Sequence, residues 1–246
     1  MWKHKKVAAY TGTKNLYPLM VPAVKSLLCN SDVDEIWLYI EDDKFPEKYG
    51  MPNDIVKFRN AKEQKYFKPD GPNMNSVYTY MALMRAAYAK EFPEYDRILS
   101  LDVDTIIYSD ISDIWNLPLD EGDGYYFSAS VEPNATEMYG YTYTNIGVCL
   151  YNLEMLRDGK ADEVIEALNS KKYKQMEQDA FNELCQDHIL EMPPEYNSTT
   201  YTKLMDIPKI VHYAGYRKWK DKNLLKKYEE RPWSEIMKYR KRIYGK

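Results

Sequence analysis

At 246 residues the chain is long enough for one substantial core, and an α/β domain of this size is ordinary. The formal charge of −4 excludes a basic footprint for nucleic acid over the whole molecule. Cys29, Cys149 and Cys185 are few, odd in number and widely spaced, which excludes a disulfide framework and a zinc spacing and fits a reducing compartment.

Val7 to Tyr10 reads as a first strand, too short for the core of a signal peptide. No later stretch approaches a membrane-spanning length. Thr11 to Asn15 reads as a turn and Leu19 to Leu28 as a helix with Pro18 near its start. Glu35 to Ile40 is a buried strand, Ile55 to Phe58 a short third one, and Tyr66 to Asn75 a loop around Pro69-Asp70-Gly71-Pro72. Ser76 to Phe92 gives the clearest helical signal. Tyr80, Leu83, Met84, Ala87 and Tyr88 form one apolar stripe, Arg85 lies off it, and Pro93 ends it.

Arg97 to Leu101 is then an apolar strand that stops abruptly at Asp102 and Asp104. Residues two apart in a strand face the same way, so both carboxylates emerge together at the strand's carboxyl end, where open α/β sheets bind ligands. Like charges this close need a cation between them, and a divalent metal is the economical one. His212, after the apolar segment Ile207 to Val211, could be a third ligand. Two carboxylates and an imidazole suit manganese, with magnesium as an alternative.

Ile111 to Trp115 reads as a short helix capped by Ser112. Tyr125 to Val131 and Gly147 to Tyr151 read as strands. Leu153 to Asp158 and Ala161 to Asn169 are helices separated at Gly159, Glu177 to Cys185 is another helix, and Lys209 to Tyr213 a last strand. The order implies an α/β fold with a central, mostly parallel sheet. Residues 1–220 read as the catalytic domain, and 221–246 as a basic, aromatic helical tail, solvated or resting on an anionic membrane surface. The 24 tyrosines offer flat faces with polar tips, suited to stacking on sugars or bases.

The motifs, taken together, resemble glycosyltransferase family 8. Arg97-Ile98-Leu99-Ser100-Leu101-Asp102-Val103-Asp104 is similar to its acidic-x-acidic strand, and Arg85 stands where the family has an Arg on the preceding helix. Tyr143-Thr144-Asn145-Ile146-Gly147-Val148, Glu177-Gln178-Asp179-Ala180-Phe181-Asn182, Pro193-Pro194-Glu195-Tyr196-Asn197 and His212-Tyr213-Ala214-Gly215-Tyr216-Arg217-Lys218-Trp219 follow in the family's order. Glu177 replaces an Asp of that pattern, no Pro precedes Trp219, and Thr13-Lys14-Asn15 lacks an acidic residue that many members place near uracil.

The resemblance implies a GT-A (Rossmann-like) fold and a retaining hexosyltransferase acting on a nucleotide sugar, UDP-glucose or UDP-galactose. Asp102, Asp104 and His212 would hold Mn2+ or Mg2+. Val103, Gly215, Lys218 and Arg85 would meet the nucleotide diphosphate, and Thr11, Thr13 and Tyr17 its base and ribose. Asn145, Gln178, Asp179 and Arg85 would face the transferred sugar. The acceptor is left open between a glycan, a glycolipid, a protein and a small molecule, and the expected setting is cytoplasmic, with peripheral membrane contact through the tail. Two alternatives stand beside this. Leu101-Asp102-Val103-Asp104-Thr105 also resembles the nucleophile loop of haloacid-dehalogenase-like phosphatases, and the fold could serve an inactive nucleotide-sugar binding protein.

Overall fold

The computed structural model describes residues 4–41, 44, 48–76, 78–200, 205–215 and 227–245. Its centre is a seven-stranded sheet formed by β1 (Val7–Gly12), β2 (Glu35–Ile40), β3 (Val56–Asn60), β4 (Arg97–Leu101), β6 (Phe127–Val131), β7 (Thr144–Asn152) and β8 (Ile189–Glu191), in the order β3-β2-β1-β4-β7-β6-β8. All neighbouring pairs run parallel except those of β7, which is antiparallel to both β4 and β6. A small second sheet sets β10 (Ile210–His212) between β5 (Thr105–Ile107) and β9 (Ser198–Thr199).

Alternation along the strands explains the layers. Ala8, Tyr10, Leu99, Leu101, Val148 and Leu150 face one core. Val7, Ala9, Ile98, Cys149 and Tyr151 face the other. The first core is covered by α1 (Tyr17–Asn30), and the second by helices α4 (Leu153–Arg157), α5 (Lys160–Ser170) and α6 (Glu177–Leu184), with the segment Tyr80–Glu91. The remaining helices are the short α2 (Tyr88–Glu91), α3 (Pro133–Tyr139) and the C-terminal α7 (Trp233–Tyr244). The tail is not wholly solvated, because α7 packs on α1 through Ile236 and a fully buried Arg240. That guanidinium donates to the carbonyls of Ser31 and Val33 just past the end of α1.

The structure corrects several expectations. The helix read over Ser76 to Phe92 is a 3₁₀ helix over Tyr80–Ala87 that passes into α2. Its start is set by the Thr79 hydroxyl, which accepts from the Met81 amide. In a 3₁₀ helix residues i and i+3 line up, so Arg85 stands in register with Ala82 and Tyr88 and is buried rather than off the apolar face. The turn expected at Thr11 to Asn15 is the end of β1 followed by a 3₁₀ turn, Lys14–Leu16. Ser112 caps no helix; its hydroxyl donates to Asp110, and only Ile114–Asn116 forms a 3₁₀ turn. The strand expected from Gly147 begins at Thr144, beside a register shift at Ala129/Ser130 of β6. Asn145 thus lies inside a buried strand, paired with Ser130 just past that shift.

Candidate active site

The strand order reverses between β1 and β4, and a cleft opens at their carboxyl ends. Asp102 ends β4, its amide donating to the Gly147 carbonyl at 2.7 Å. Val103 and Asp104 turn the chain into β5, where Thr105 donates back to the Asp102 carbonyl. Antiparallel pairing of β10 with β5 sets His212 opposite Thr105, and the Tyr213 amide donates to the Asp104 carbonyl. Side-chain donors of Asp102, Asp104 and His212 consequently gather within 4.8 Å of one another. His212 Nε2 stands 3.3 Å from a carboxylate oxygen of each aspartate.

The groups behind this cluster fit it for a divalent cation. Asn197 Oδ1 lies 2.9 Å from His212 Nδ1. The Asn197 amide nitrogen donates to the Asn145 carbonyl and side-chain oxygen, which fixes the amide's orientation. Nδ1 therefore carries a proton, and Nε2, which without a metal donates to the two carboxylates, is the nitrogen left to ligate a cation once it loses its own. Gly147 leaves the room: a Cβ there would sit 2.1 Å from His212 Cε1 and 2.7 Å from Asp102 Oδ2. His212 is only 2% exposed. Burial pushes its pKa down, but Asp104 and Asp102 overcome that and lift it to about 10. Burial pushes Asp102 up, and Arg85 followed by His212 holds it below the usual carboxylate range. Two hard carboxylates with one imidazole, charged oppositely without a metal, are a donor set for a divalent cation.

Arg85 bridges the cluster to α6. Its guanidinium donates to Asp102 and, at 3.0 Å, to Glu177. Both side chains of the Arg85–Glu177 pair are buried. Burial raises the Glu177 carboxyl to about 7 against the pull of Arg85. Met176, with φ +49°, makes the sharp bend that turns Glu177 inward. Asp179 is also fully engaged, accepting from the Tyr143 hydroxyl at 2.5 Å and the Gln175 amide at 2.8 Å. Gln178 accepts from the Ile146 amide and donates to the Tyr143 hydroxyl. Asn145 donates to Glu132 and accepts from the Gly147 amide.

Two adjoining cavities meet at these groups. The first, of about 390 Å³, is lined by Thr11, Asn15, Leu16, Leu19, Val103 and Arg85, among others. The second, of about 530 Å³, is lined by Glu132, Tyr139, Tyr143, Asn145, His212 and Gly215, among others. Asp102, Asp104, Tyr78, Gln175 and Gln178 border both. Most of the expected site residues are thus brought together. Thr13, Tyr17 and Asp179 are not among the lining residues: the Thr13 hydroxyl donates to Asn15, buried Tyr17 accepts from the Glu41 amide with its own, and Asp179 is turned to Tyr143 and Gln175. Lys218 and Trp219 lie outside the described residues. Sequence reasoning gave no role to Gly147, Asn197, Tyr143 or Asn15. Tyr143, Gly147 and Asn197 stood inside quoted motifs, which was their only signal.

Comparison with known proteins decides the family. The profile described as Glycosyl transferase family 8 matches residues 8–223. The chain belongs to glycosyl transferase family 8. That membership favours the glycosyltransferase-like reading of Asp102 and Asp104 over the phosphatase-like one. No curated protein matches it. Among solved structures it is similar to the bifunctional glycosyltransferase WbbM, at a TM-score of 0.73 and 14% identity, covering 97% of this chain and 52% of that one. It is similar to the glycosyltransferase GlyE of Streptococcus pneumoniae TIGR4, at 0.72 and 19%, covering 96% and 63%. It is also similar to the galactosyltransferase LgtC, solved with donor and acceptor sugar analogues, at 0.65 and 16%, covering 91% and 95%. The chain thus spans about half to two-thirds of the first two. At these identities the likeness is one of fold, and that fold is GT-A.

Proposed function

We propose that the protein is a metal-dependent retaining hexosyltransferase that moves a hexose from a nucleotide sugar, UDP-glucose or UDP-galactose, to a hydroxyl acceptor. The observation that carries this is the Asp102, Asp104 and His212 cluster at the junction of two cavities, one for the donor and one for the acceptor. The three side chains would hold Mn2+ or Mg2+. Such an ion, when bound, neutralises the charge that develops on a departing diphosphate. In the donor cavity, Leu16 and Leu19 offer apolar surface to a base, and Thr11 and Asn15 offer polar groups to the base and ribose. Arg85, fixed by Glu177, adds positive charge beside the diphosphate without reorganising.

Retention needs either a nucleophile beneath the sugar or attack from the leaving-group side. Both carboxylates at the start of α6 are committed, Glu177 to Arg85 and Asp179 to Tyr143 and Gln175. The α6 side chain that borders both cavities is Gln178, an amide and a poor nucleophile. This favours front-face attack, with the Gln178 carbonyl oxygen supporting the oxocarbenium-like sugar.

No described helix is long and apolar enough to cross a membrane. The proposed setting is cytoplasmic, with the exposed Lys238, Lys241 and Arg242 of α7 available to an anionic surface.

Calorimetric titration with UDP, UDP-glucose and UDP-galactose, with Mn2+ and then with a chelator, tests the reading. Binding should require the metal and disappear in Asp102→Asn and Asp104→Asn while the fold survives. Binding that ignores both chelator and substitutions would refute the metal assignment. Metal-dependent binding with neither transfer nor hydrolysis would turn the reading to an inactive binding protein.

A further inference from the structure

A group of buried polar atoms lies behind Arg85, on the side away from the two cavities. Two nitrogens of the guanidinium are spent on Asp102 and Glu177. The third, Nε, is buried and closes no hydrogen bond among the described residues. The same is true of the hydroxyls of Tyr88, Ser100 and Tyr151. These atoms converge from three elements. Arg85 and Tyr88 stand three residues apart on the Tyr80–Glu91 segment, Ser100 is on β4, and Tyr151 is on β7, two residues past the Cys149 that pairs with Ser100. The Tyr88 hydroxyl is turned toward Ser100 and Thr11, and both tyrosine hydroxyls lie close enough to the guanidinium to feel its charge. Neither ring is free to swing away. Tyr88 and Tyr151 meet edge to face at 6.1 Å, Tyr88 packs on Phe92 at 5.4 Å, and Tyr151 on Phe181 at 5.2 Å.

A buried polar group left unpaired is costly, and folded proteins meet such groups with the chain itself or with ordered water. Rotating hydroxyls can pair Tyr88 with Ser100. That does not serve Arg85 Nε, which only donates and needs an acceptor. Each of these atoms exposes less than 1 Å², so a molecule bound in either cavity does not reach them. A buried water typically makes about three hydrogen bonds, and this group offers that number: Nε donates to it, and hydroxyls accept from it.

We propose that ordered water bridges Arg85 Nε to the Tyr88 and Tyr151 hydroxyls, which makes the two tyrosines positioning residues for the guanidinium, an inference that rests on the transferase reading above. Asp102 and Glu177 hold two corners of the guanidinium, and the bridge holds the third. The charge beside the diphosphate is then fixed in place before the leaving group departs.

The test uses the full chain with Mn2+. It reads UDP released from UDP-glucose and UDP-galactose, and unfolding in urea. Tyr151→Phe keeps the ring and removes only the hydroxyl. If that hydroxyl were simply unpaired, stability and turnover would hold or rise. As part of the bridge, its loss should lower kcat about tenfold and leave KM within about twofold, since the interaction strengthens only as the diphosphate leaves. Tyr88→Phe should act in the same direction. Lysine has no Nε, so in an Arg85→Lys background Tyr151→Phe should change kcat less than about twofold, and the two substitutions should be less than additive in urea. Native kcat with native or higher stability in both Phe variants, or full additivity with Arg85→Lys, overturns the bridge and leaves the transferase reading standing. If the native chain neither binds UDP with Mn2+ nor releases it, the transferase reading falls and the positioning role with it. The urea cycle then decides the bridge by itself, additivity overturning it.

Discussion

The sharpest consequence of the site geometry is at a residue with no side chain. In Gly147→Ala the new Cβ would stand 2.1 Å from His212 Cε1 and 2.7 Å from Asp102 Oδ2. Carbon atoms rest at roughly 3.5 Å or more, so the imidazole must retreat by more than an ångström. It cannot retreat freely, because Asn197 holds its other nitrogen and the ring is buried. Metal sites tolerate errors of about 0.2 Å in ligand position, so the displaced ring ceases to be a ligand in that set. Disturbing the groups that orient ligands typically costs about 10–100-fold in metal affinity, and the loss here should be at least that, about 1.4–2.8 kcal/mol. The assay is calorimetric titration of Mn2+ into the native and substituted proteins, with circular dichroism to show that the sheet persists. Overpacking in β7 should cost about 1–3 kcal/mol of stability, visible in urea denaturation. In a His212→Ala background the clash with the ring is gone and only that with Asp102 Oδ2 remains, so the two effects should be less than additive. A folded Gly147→Ala protein that binds Mn2+ within about threefold of the native affinity would refute the reasoning.

Four further outcomes follow from the site and from the docking of α7. The metal-free His212 has a pKa near 10 against an ordinary 6.5, so at pH 7 it is protonated and must lose that proton to ligate. Mn2+ affinity should rise with pH, and titrations at pH 7 in buffers of different ionisation enthalpy should report release of about one proton; pH-independent binding would contradict this. The stabilisation that protonated His212 gives the metal-free fold is complete below pH 6.5 and disappears as pH rises through 10, which thermal denaturation with a chelator should show. Glu177→Ala leaves the buried Arg85 with Asp102 as its remaining ion-pair partner and should cost about 3–5 kcal/mol in urea denaturation, with a loss under 1 kcal/mol counting against a buried pair there. Arg240→Ala removes charged donors to the Ser31 and Val33 carbonyls and should destabilise the protein by about 2–3 kcal/mol, unless α7 is held on α1 by its apolar contacts alone.

What the sequence revealed and what it hid divide along a physical line. Asp102 and Asp104 were legible because a buried strand ending in two carboxylates is unusual in one dimension. His212 needed the order of the surrounding motifs. Gly147 and Asn197 act through space, on a ring more than a dozen residues from either, and no spacing rule announces such contacts. Arg85 was misplaced because its apolar neighbours were read with a period of 3.6, whereas the chain winds there with a period near 3. The helix α3 escaped notice because none of its seven residues is buried, so it carries no apolar stripe. Its exposed Tyr139 was one of 24 tyrosines with nothing local to distinguish it.

The single antiparallel strand explains why the site is so densely wired. In a wholly parallel sheet, every strand would bring its carboxyl end to the cleft. β7 instead presents its amino end, so Thr144, Asn145, Ile146 and Gly147 lie beside the carboxyl end of β4. From there the Gly147 carbonyl fixes Asp102, the Asn145 carbonyl and side chain fix Asn197 behind His212, and the Ile146 amide fixes Gln178. Asn182, fully buried in α6, ties the first residue of that strand to the helix through the Thr144 amide, hydroxyl and carbonyl. One four-residue stretch thus positions both the cation ligands and the amide at the junction of the two cavities. The metal cluster and Gln178 are consequently parts of one hydrogen-bonded unit. A substitution that shifts the start of β7 should disturb metal binding and sugar transfer together.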